Sequence, residues 1–205
     1  MTDFDERAKD WDSDPMKVDR ARSVAKAVRA AVDIHPNMTA LEYGCGTGLL
    51  SFFLQDEFAS ITLADTSQGM LDVLSDKIKA AKTAHMHPVR LDLAADPLPA
   101  QKFDVTYSLM VLHHIPGTDV ILHKFHEILK PGGWLVVADL DKEDGSFHTD
   151  GSTDVHLGFG RDELQKRVEA ARFADVHFST AYEIKKEIDK EQRTFPVFLM
   201  TARKR

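Results

Sequence analysis

A single cysteine, Cys45, stands in 205 residues, so no intrachain disulfide and no multi-cysteine metal site can form. No apolar run approaches the ~20 residues that cross a bilayer. The opening stretch, MTDFDERAKDWD, is acidic and lacks the apolar core of a secretory leader. Basic residues are in deficit, 26 against 33 acidic ones, for a net charge of −7, which argues against a life on phosphate backbones and a nucleic-acid partner. Glycine and proline, 11 and 8 in number, are too few for a collagen-like or disordered chain. There is no repeat of fixed period and no low-complexity tract. What these absences leave is a soluble, cytoplasmic globular protein with no membrane partner. Its 43% hydrophobic residues can bury a core, and its length suits one domain with an elaboration.

Short β-like runs alternate with helical stretches, a pattern that predicts an α/β fold with a parallel sheet covered by helices. Phe4, Ala8 and Trp11 lie on one face of a first helix. After Asp14-Pro15 the spacing resumes through Ala21, Val24, Ala25, Val28 and Val32, so residues 1–36 form a helical N-terminal unit. Strands are expected at Thr39–Tyr43, Ser60–Ala64, His87–Leu91, Phe103–Ser108 and Trp134–Leu140. Between them fall helices over Leu49–Leu54, after the cap Ser67, and after the cap Thr118, the last stopped by Lys130-Pro131-Gly132-Gly133. Lys77, Lys79 and Lys82 sit where a helix C-terminus favours positive charge. From Asp141 to Gly160 periodicity is lost, as in a functional or mobile insertion. A helix over Asp162–Arg172 follows, then two strands, Asp175–Ile184 and Thr194–Thr201, that predict an antiparallel hairpin at a sheet edge.

Chemistry concentrates in Glu42-Tyr43-Gly44-Cys45-Gly46-Thr47-Gly48, where a strand ends, the chain turns on glycines and a helix begins. Glycine allows φ > 0 and close approach of a ligand to the backbone, and helix N-terminal amides bind anionic groups. Asp65 follows Gly48 by 17 positions, at the end of the next strand, where a carboxylate can accept from both hydroxyls of a ribose. The dinucleotide pattern G-x-G-x-x-G would need glycine where Leu49 stands, and the G-K-[ST] ending of a phosphate loop is absent. A nicotinamide-dependent oxidoreductase is thereby disfavoured.

The loop E-x-G-x-G-x-G, followed by LADTSQGML, VRLDLAADPLP, FDVTYSLMVLHHI and LKPGGWLVVADL, resembles the ordered motifs of class I S-adenosylmethionine-dependent methyltransferases across about residues 41–140. The resemblance implies a Rossmann-like, seven-stranded mixed sheet of order 3-2-1-4-5-7-6, strand seven antiparallel, in a domain over residues 37–205. It implies S-adenosyl-L-methionine as cofactor, with Glu42, Gly44, Cys45 and Gly46 at its amino-acid end and Asp65 and Thr66 at the ribose. Met70 would flank the adenine, Asp92 would face its amino group, Leu93 would give the ring a backbone amide, and Ser108 is a further cofactor-binding residue. A segment free of basic residues from Leu41 to Leu54 suits a ligand that carries a sulfonium and no phosphate.

The reaction expected is in-line displacement, in which alignment and water exclusion matter most, onto a small-molecule acceptor. A non-catalytic regulatory binder with the same cleft is the alternative. His113 and His114 follow the fourth strand, on the rim where ligands of open α/β sheets bind, and either can serve as a general base or pack before Pro116. No metal is expected, because an adjacent pair chelates poorly and no nearby carboxylate completes a set. His148, His156 and Phe159 fall in the irregular insertion, over the acceptor or at a helix entry; Trp11 is either part of a lid or core.

Overall fold

The computed structural model describes residues 3–148 and 155–205. Seven strands form one sheet: β1 Thr39–Tyr43, β2 Ser60–Asp65, β3 Met86–Arg90, β4 Phe103–Leu109, β5 Leu129–Leu140, β6 Phe173–Ile188 and β7 Glu191–Lys204. Their order is β3-β2-β1-β4-β5-β7-β6. The first five are parallel to their neighbours, whereas β7 runs antiparallel between β5 and β6. The order and the reversed seventh strand are those expected.

Period-two alternation assigns each strand residue to a face. Ala40, Ile61, Leu63, Val105, Tyr107, Val136 and Ala138 point to one side and pack on helices α2 (Pro15–Ala31), α3 (Leu49–Leu54) and α4 (Gln68–Ala81) through Val24, Val28, Leu50, Leu54, Leu71 and Leu74. Leu41, Tyr43, Ala64, Leu135 and Val137 point to the other, against α5 (Thr118–Ile128) and α6 (Arg161–Ala170) through Ile121, Leu122, Phe125, Ile128, Leu164 and Val168. Both faces are covered, as a parallel sheet requires.

The N-terminal unit divides in two. Asp14 caps α2, accepting from the Met16 amide at 2.9 Å with Pro15 at the first helical position. The buried face of α2 makes that helix part of the core. The preceding helix α1 (Asp3–Arg7) and 3₁₀ turn (Ala8–Ser13) instead lie along α4. Asp5 Oδ1 accepts from the Ser67 hydroxyl at 2.6 Å and the Gly69 amide at 3.0 Å. Asp12 bonds the Thr47 hydroxyl at 2.5 Å and the Lys77 ammonium at 2.5 Å.

Several local expectations shift. Lys77 does not serve its helix end; it reaches Asp12 and the Thr47 carbonyl, 2.7 Å away. Thr118 is the first residue of α5, not its cap, and its hydroxyl meets His156 Nε2 at 3.2 Å. Lys130-Pro131-Gly132-Gly133 belongs to β5, which begins as soon as α5 ends and is irregularly registered on β4 at this point. Residues 149–154 of the expected irregular insertion lie outside the described residues. The parts on either side are tied down: Asp141 bridges Phe159, and the Lys142 amide bonds the Phe159 carbonyl at 3.0 Å.

Asp104 fastens the start of the sheet. Its Oδ2 accepts from the Thr39 amide (2.8 Å), the Thr39 hydroxyl (2.9 Å) and the Lys130 ammonium (2.7 Å). Partial burial pushes its carboxyl up, and these donors more than offset that, holding its pKa below the ordinary value. We expect Asp104→Ala to cost about 1–3 kcal/mol in urea unfolding at neutral pH. The difference should vanish as acid protonates the wild-type carboxyl, because a depressed pKa stabilises only above its titration range.

Candidate functional site

A cleft of about 920 Å³ opens at the carboxyl ends of β1, β2 and β4, roofed by α1 and the 3₁₀ turn. Its floor is the glycine loop. Gly44 and Cys45 donate their amides to the Ala64 carbonyl at 2.8 and 3.0 Å, which ties the loop to the end of β2. Gly44 has φ of +69°, and a Cβ there would lie 2.4 Å from Val111 Cγ2, so only glycine fits. At Gly46 (φ +52°) a Cβ would meet only Met70 Sδ at 3.8 Å. It would project into the cleft, whose wall both residues help form.

Asp65 is the hinge between loop and cleft. Oδ2 accepts from the Gly46 amide at 2.7 Å, and Oδ1 from the Ser67 amide at 2.9 Å. A carboxylate offers about four acceptor sites, so two remain for a ligand diol. Thr66 and Met70 line the same end. Asp92 lines it too, receiving the Ala94 amide at 2.8 Å and the Tyr43 hydroxyl at 3.5 Å. Burial and the Asp92 charge push the Tyr43 phenol up to about 12, so it remains a donor.

Glu42 is fully enclosed. It accepts from the Ser51 hydroxyl, which also meets the Tyr107 hydroxyl at 2.6 Å. Burial drives its carboxyl up to about 8, with the Asp65 charge adding to the effect against the Ser51 bonds. Burial likewise raises the Cys45 thiol, beside Glu42 and Asp65, so it is no thiolate nucleophile.

The opposite end has different chemistry. His113, His114 and His148 line it, with Phe4 and Trp11 above. His113 is buried; its Nδ1 lies 2.6 Å from Asp139 Oδ1, and its amide donates to Oδ2 at 3.2 Å. Burial alone would raise the Asp139 carboxyl, but the His113 charge and these bonds, with the Leu140 amide at 2.7 Å, hold it below its ordinary value. Phe4 packs edge-on against His114 with centroids 5.5 Å apart, and Lys17 lies 3.8 Å from the Trp11 ring centroid. Arg7, Lys17, Arg20 and Lys186 also face this end. Met110 turns the chain out of β4 with φ of +58°, a strained value for a side-chain-bearing residue at the cleft wall.

Thus Trp11, Glu42, Gly44, Cys45, Gly46, Asp65, Thr66, Met70, Asp92, His113, His114 and His148 are brought to one cleft. Four expected residues are not. Leu93 is buried in the core, and its backbone bonds the Tyr43 hydroxyl. Ser108 is buried within β4 behind Leu109 and Met110. His156 and Phe159 line a separate pocket of about 200 Å³. The His156 ring meets Thr118 and the Ile115 carbonyl at 3.0 Å, and Phe159 packs at the entry to α6; both are structural ties of the insertion. Sequence reading missed Tyr43 and Asp139. Tyr43 sits inside the motif and was readable as a cleft residue; Asp139 hides in an apolar strand, 26 positions from its histidine.

Residues 41–135 match a family model described as a methyltransferase domain. Among curated proteins, the chain is 33% identical over 118 residues to an uncharacterized methyltransferase of Schizosaccharomyces pombe, covering 54% of this chain and 42% of that protein. It is 32% identical over 110 residues to a ubiquinone biosynthesis O-methyltransferase of Marinobacter nauticus, covering 53% and 46%. The chain therefore spans less than half the length of these relatives. Among solved structures, a chain from the complex between the Haloferax volcanii Trm112 methyltransferase activator and a candidate methyltransferase superposes with a TM-score of 0.81 at 19% identity, over 99% of this chain and 98% of that one. Haemonchus contortus phosphoethanolamine N-methyltransferase 2, in complex with S-adenosyl-L-methionine, gives 0.71 at 18% identity, over 89% and 52%.

Glu42 yields a pH signature. The folded protein keeps its proton up to about pH 8, whereas the unfolded chain loses it near 4.5. The folded state binds more protons in that window, so the group's contribution to stability falls as pH rises through it and stays low above. Glu42→Gln should match wild type at pH 4.5 and exceed it increasingly towards pH 8, by up to about 4 kcal/mol. Urea midpoints of both proteins across that range test this, and a constant difference would show an ionised Glu42.

Proposed function

We propose that this chain is a class I methyltransferase that binds S-adenosyl-L-methionine in the cleft and transfers its methyl group to a small-molecule acceptor. The observation that carries the reading is Asp65, poised at the end of β2 with its carboxylate holding the Gly46 amide and facing the cleft. Bound there, S-adenosylmethionine supplies a methyl carbon already activated by a sulfonium centre. The chain's own part is to hold, align and keep dry.

Asp65 accepts from the ribose hydroxyls through its remaining lone pairs. Tyr43, Asp92 and Met70 frame the adenine, and the glycine loop with Glu42 takes the amino-acid end. The site fits the group: Gly46 leaves a hollow that a methyl side chain would fill, and acids, not lysines or arginines, face the nucleoside. α1 and the 3₁₀ turn, carrying Phe4 and Trp11, act as the lid of the expected N-terminal unit. At the acceptor end Asp139 orients His113, whose Nε2 can take a proton from an acceptor that must lose one. A small acceptor accords with the enclosed cleft, and the net charge of −7 speaks against nucleic acid. No helix among the described residues is long and apolar enough to cross a membrane.

Isothermal titration should show S-adenosylmethionine and S-adenosylhomocysteine binding in the submillimolar range. Asp65→Ala should weaken both by about 10–100-fold, the equivalent of hydrogen bonds to a charged group. Absence of binding to either, or NADH binding in their place, would remove the proposal. Label passing from methyl-labelled cofactor to fractionated metabolites would separate an enzyme from a binder that transfers nothing.

A further inference from the structure

We propose that His113, His114 and His148 form a binding site for one divalent transition-metal ion of the zinc, cobalt or nickel type. One ligating nitrogen from each ring lies within 4.8 Å of the others, and all three rings line the cleft. Ring centroids are 4.1 Å apart for His113 and His114, 5.3 Å for His113 and His148, and 5.6 Å for His114 and His148. A tetrahedral ion bonded at 2.0–2.1 Å needs its ligand nitrogens about 3.4 Å apart. Side-chain rotation alone can close the remaining gap for the two half-buried rings of the set, His114 and His148.

The case rests on orientation as much as on proximity. Asp139 engages Nδ1 of His113, which leaves Nε2 as the ligating atom; with the ion bound, that nitrogen no longer takes the acceptor's proton, and the ion assumes the task of activating the acceptor. A carboxylate that fixes a histidine's tautomer in this way is the usual second partner of a metal-bound imidazole. Asp139 is itself immobilised, buried and bonded by the amides of His113 and Leu140. A proton acceptor needs one oriented ring; three converging rings suit a cation. Imidazole nitrogens select zinc-like ions over magnesium or calcium, which prefer oxygen. To the adjacent pair, which alone chelates poorly, the fold adds His148, 34 positions from His114, and the Asp139 carboxylate behind His113.

Arg7, Lys17, Arg20 and Lys186 at the same end oppose a bare cation. They favour one whose open position is filled by an anionic group. Three protein ligands leave such a position, and this deepens the methyltransferase reading, on which the following step rests. An acceptor hydroxyl or thiol bound to the ion gives its proton to solvent at lower pH than when free. Its oxygen or sulfur then bonds the methyl carbon as the methyl–sulfonium bond breaks and leaves its electron pair on sulfur.

The test uses the full, tag-free chain stripped with chelator and titrated with Zn²⁺ and with Co²⁺. One ion per chain should bind with micromolar or tighter affinity, and the cobalt form should show visible d–d absorption. His114→Ala and His148→Ala should each weaken binding about 100-fold, and Asp139→Asn about 10-fold. His87→Ala, on the exposed edge strand, should leave affinity unchanged. No binding below about 1 mM, or affinity indifferent to both His114→Ala and His148→Ala, would overturn the site. S-adenosylmethionine titrated into the same samples keeps the two readings apart. Cofactor binding without metal binding refutes only the metal site, whereas metal binding without cofactor binding upholds the site and removes the methyltransferase proposal.

Discussion

The cleft depends on the attachment of the glycine loop to the end of β2. Two amides converge on the Ala64 carbonyl and a third on the neighbouring Asp65 carboxylate. These bonds cross between adjacent parallel strands, so the loop's shape is set by the sheet register and not by the loop alone. Val111 fills the space behind Gly44, and Leu74 comes close behind Gly48, so helix and strand packing press on the same turn. Helix α1 and the 3₁₀ turn are anchored to this frame as well: Asp12 holds Thr47, and Asp5 holds the start of α4 beside Asp65. A perturbation at any of these contacts reaches the floor, one wall and the roof together.

Charge then divides the cleft. Glu42, Asp65 and Asp92 gather at the glycine-loop end, and the cationic side chains and imidazoles at the other. Glu42 is held neutral by burial, which reduces repulsion with Asp65 and allows two carboxyls to share a small space. At the far end the reverse arrangement holds: Asp139 stays ionised in full burial because three N–H groups converge on it. Each buried acid thus takes the protonation state that its immediate donors and neighbouring charges favour.

The sheet order and the glycine-loop end of the cleft are legible in the sequence because both are encoded by neighbours in the chain. Strands declare themselves through apolar runs, and Glu42 to Gly48 form one continuous motif with Asp65 a fixed step away. The histidine-lined end was legible only in fragments. His113 and His114 were visible on the rim, yet their partners come from residues 139 and 148, whose proximity is a property of the tertiary fold. His156 and Phe159 share the insertion's polar, aperiodic composition with His148, and nothing local separates a residue that faces the cleft from one that fastens the loop to α5 and α6. Leu93 and Ser108 sit one position from cleft residues, where the alternation of a strand or a tight turn reverses the side presented. Met110 shows the limit most plainly: a positive φ at a methionine is dictated by surroundings, with no signal in the residue type.

The seating of β7 between β5 and β6 has a consequence for how the molecule is made. β5 pairs with β7 along Trp134–Leu140, and β7 is the last of this sheet's seven strands to leave the ribosome. Until it arrives, the most apolar strand of the sheet has a bare flank, the kind of edge that invites pairing with other chains. The hairpin partner β6 emerges first but belongs one place further out, so it must wait or withdraw to admit its successor. Completion of the sheet therefore waits on β7, and chains ending before Glu191 carry an exposed adhesive margin however well the rest of the sheet has folded.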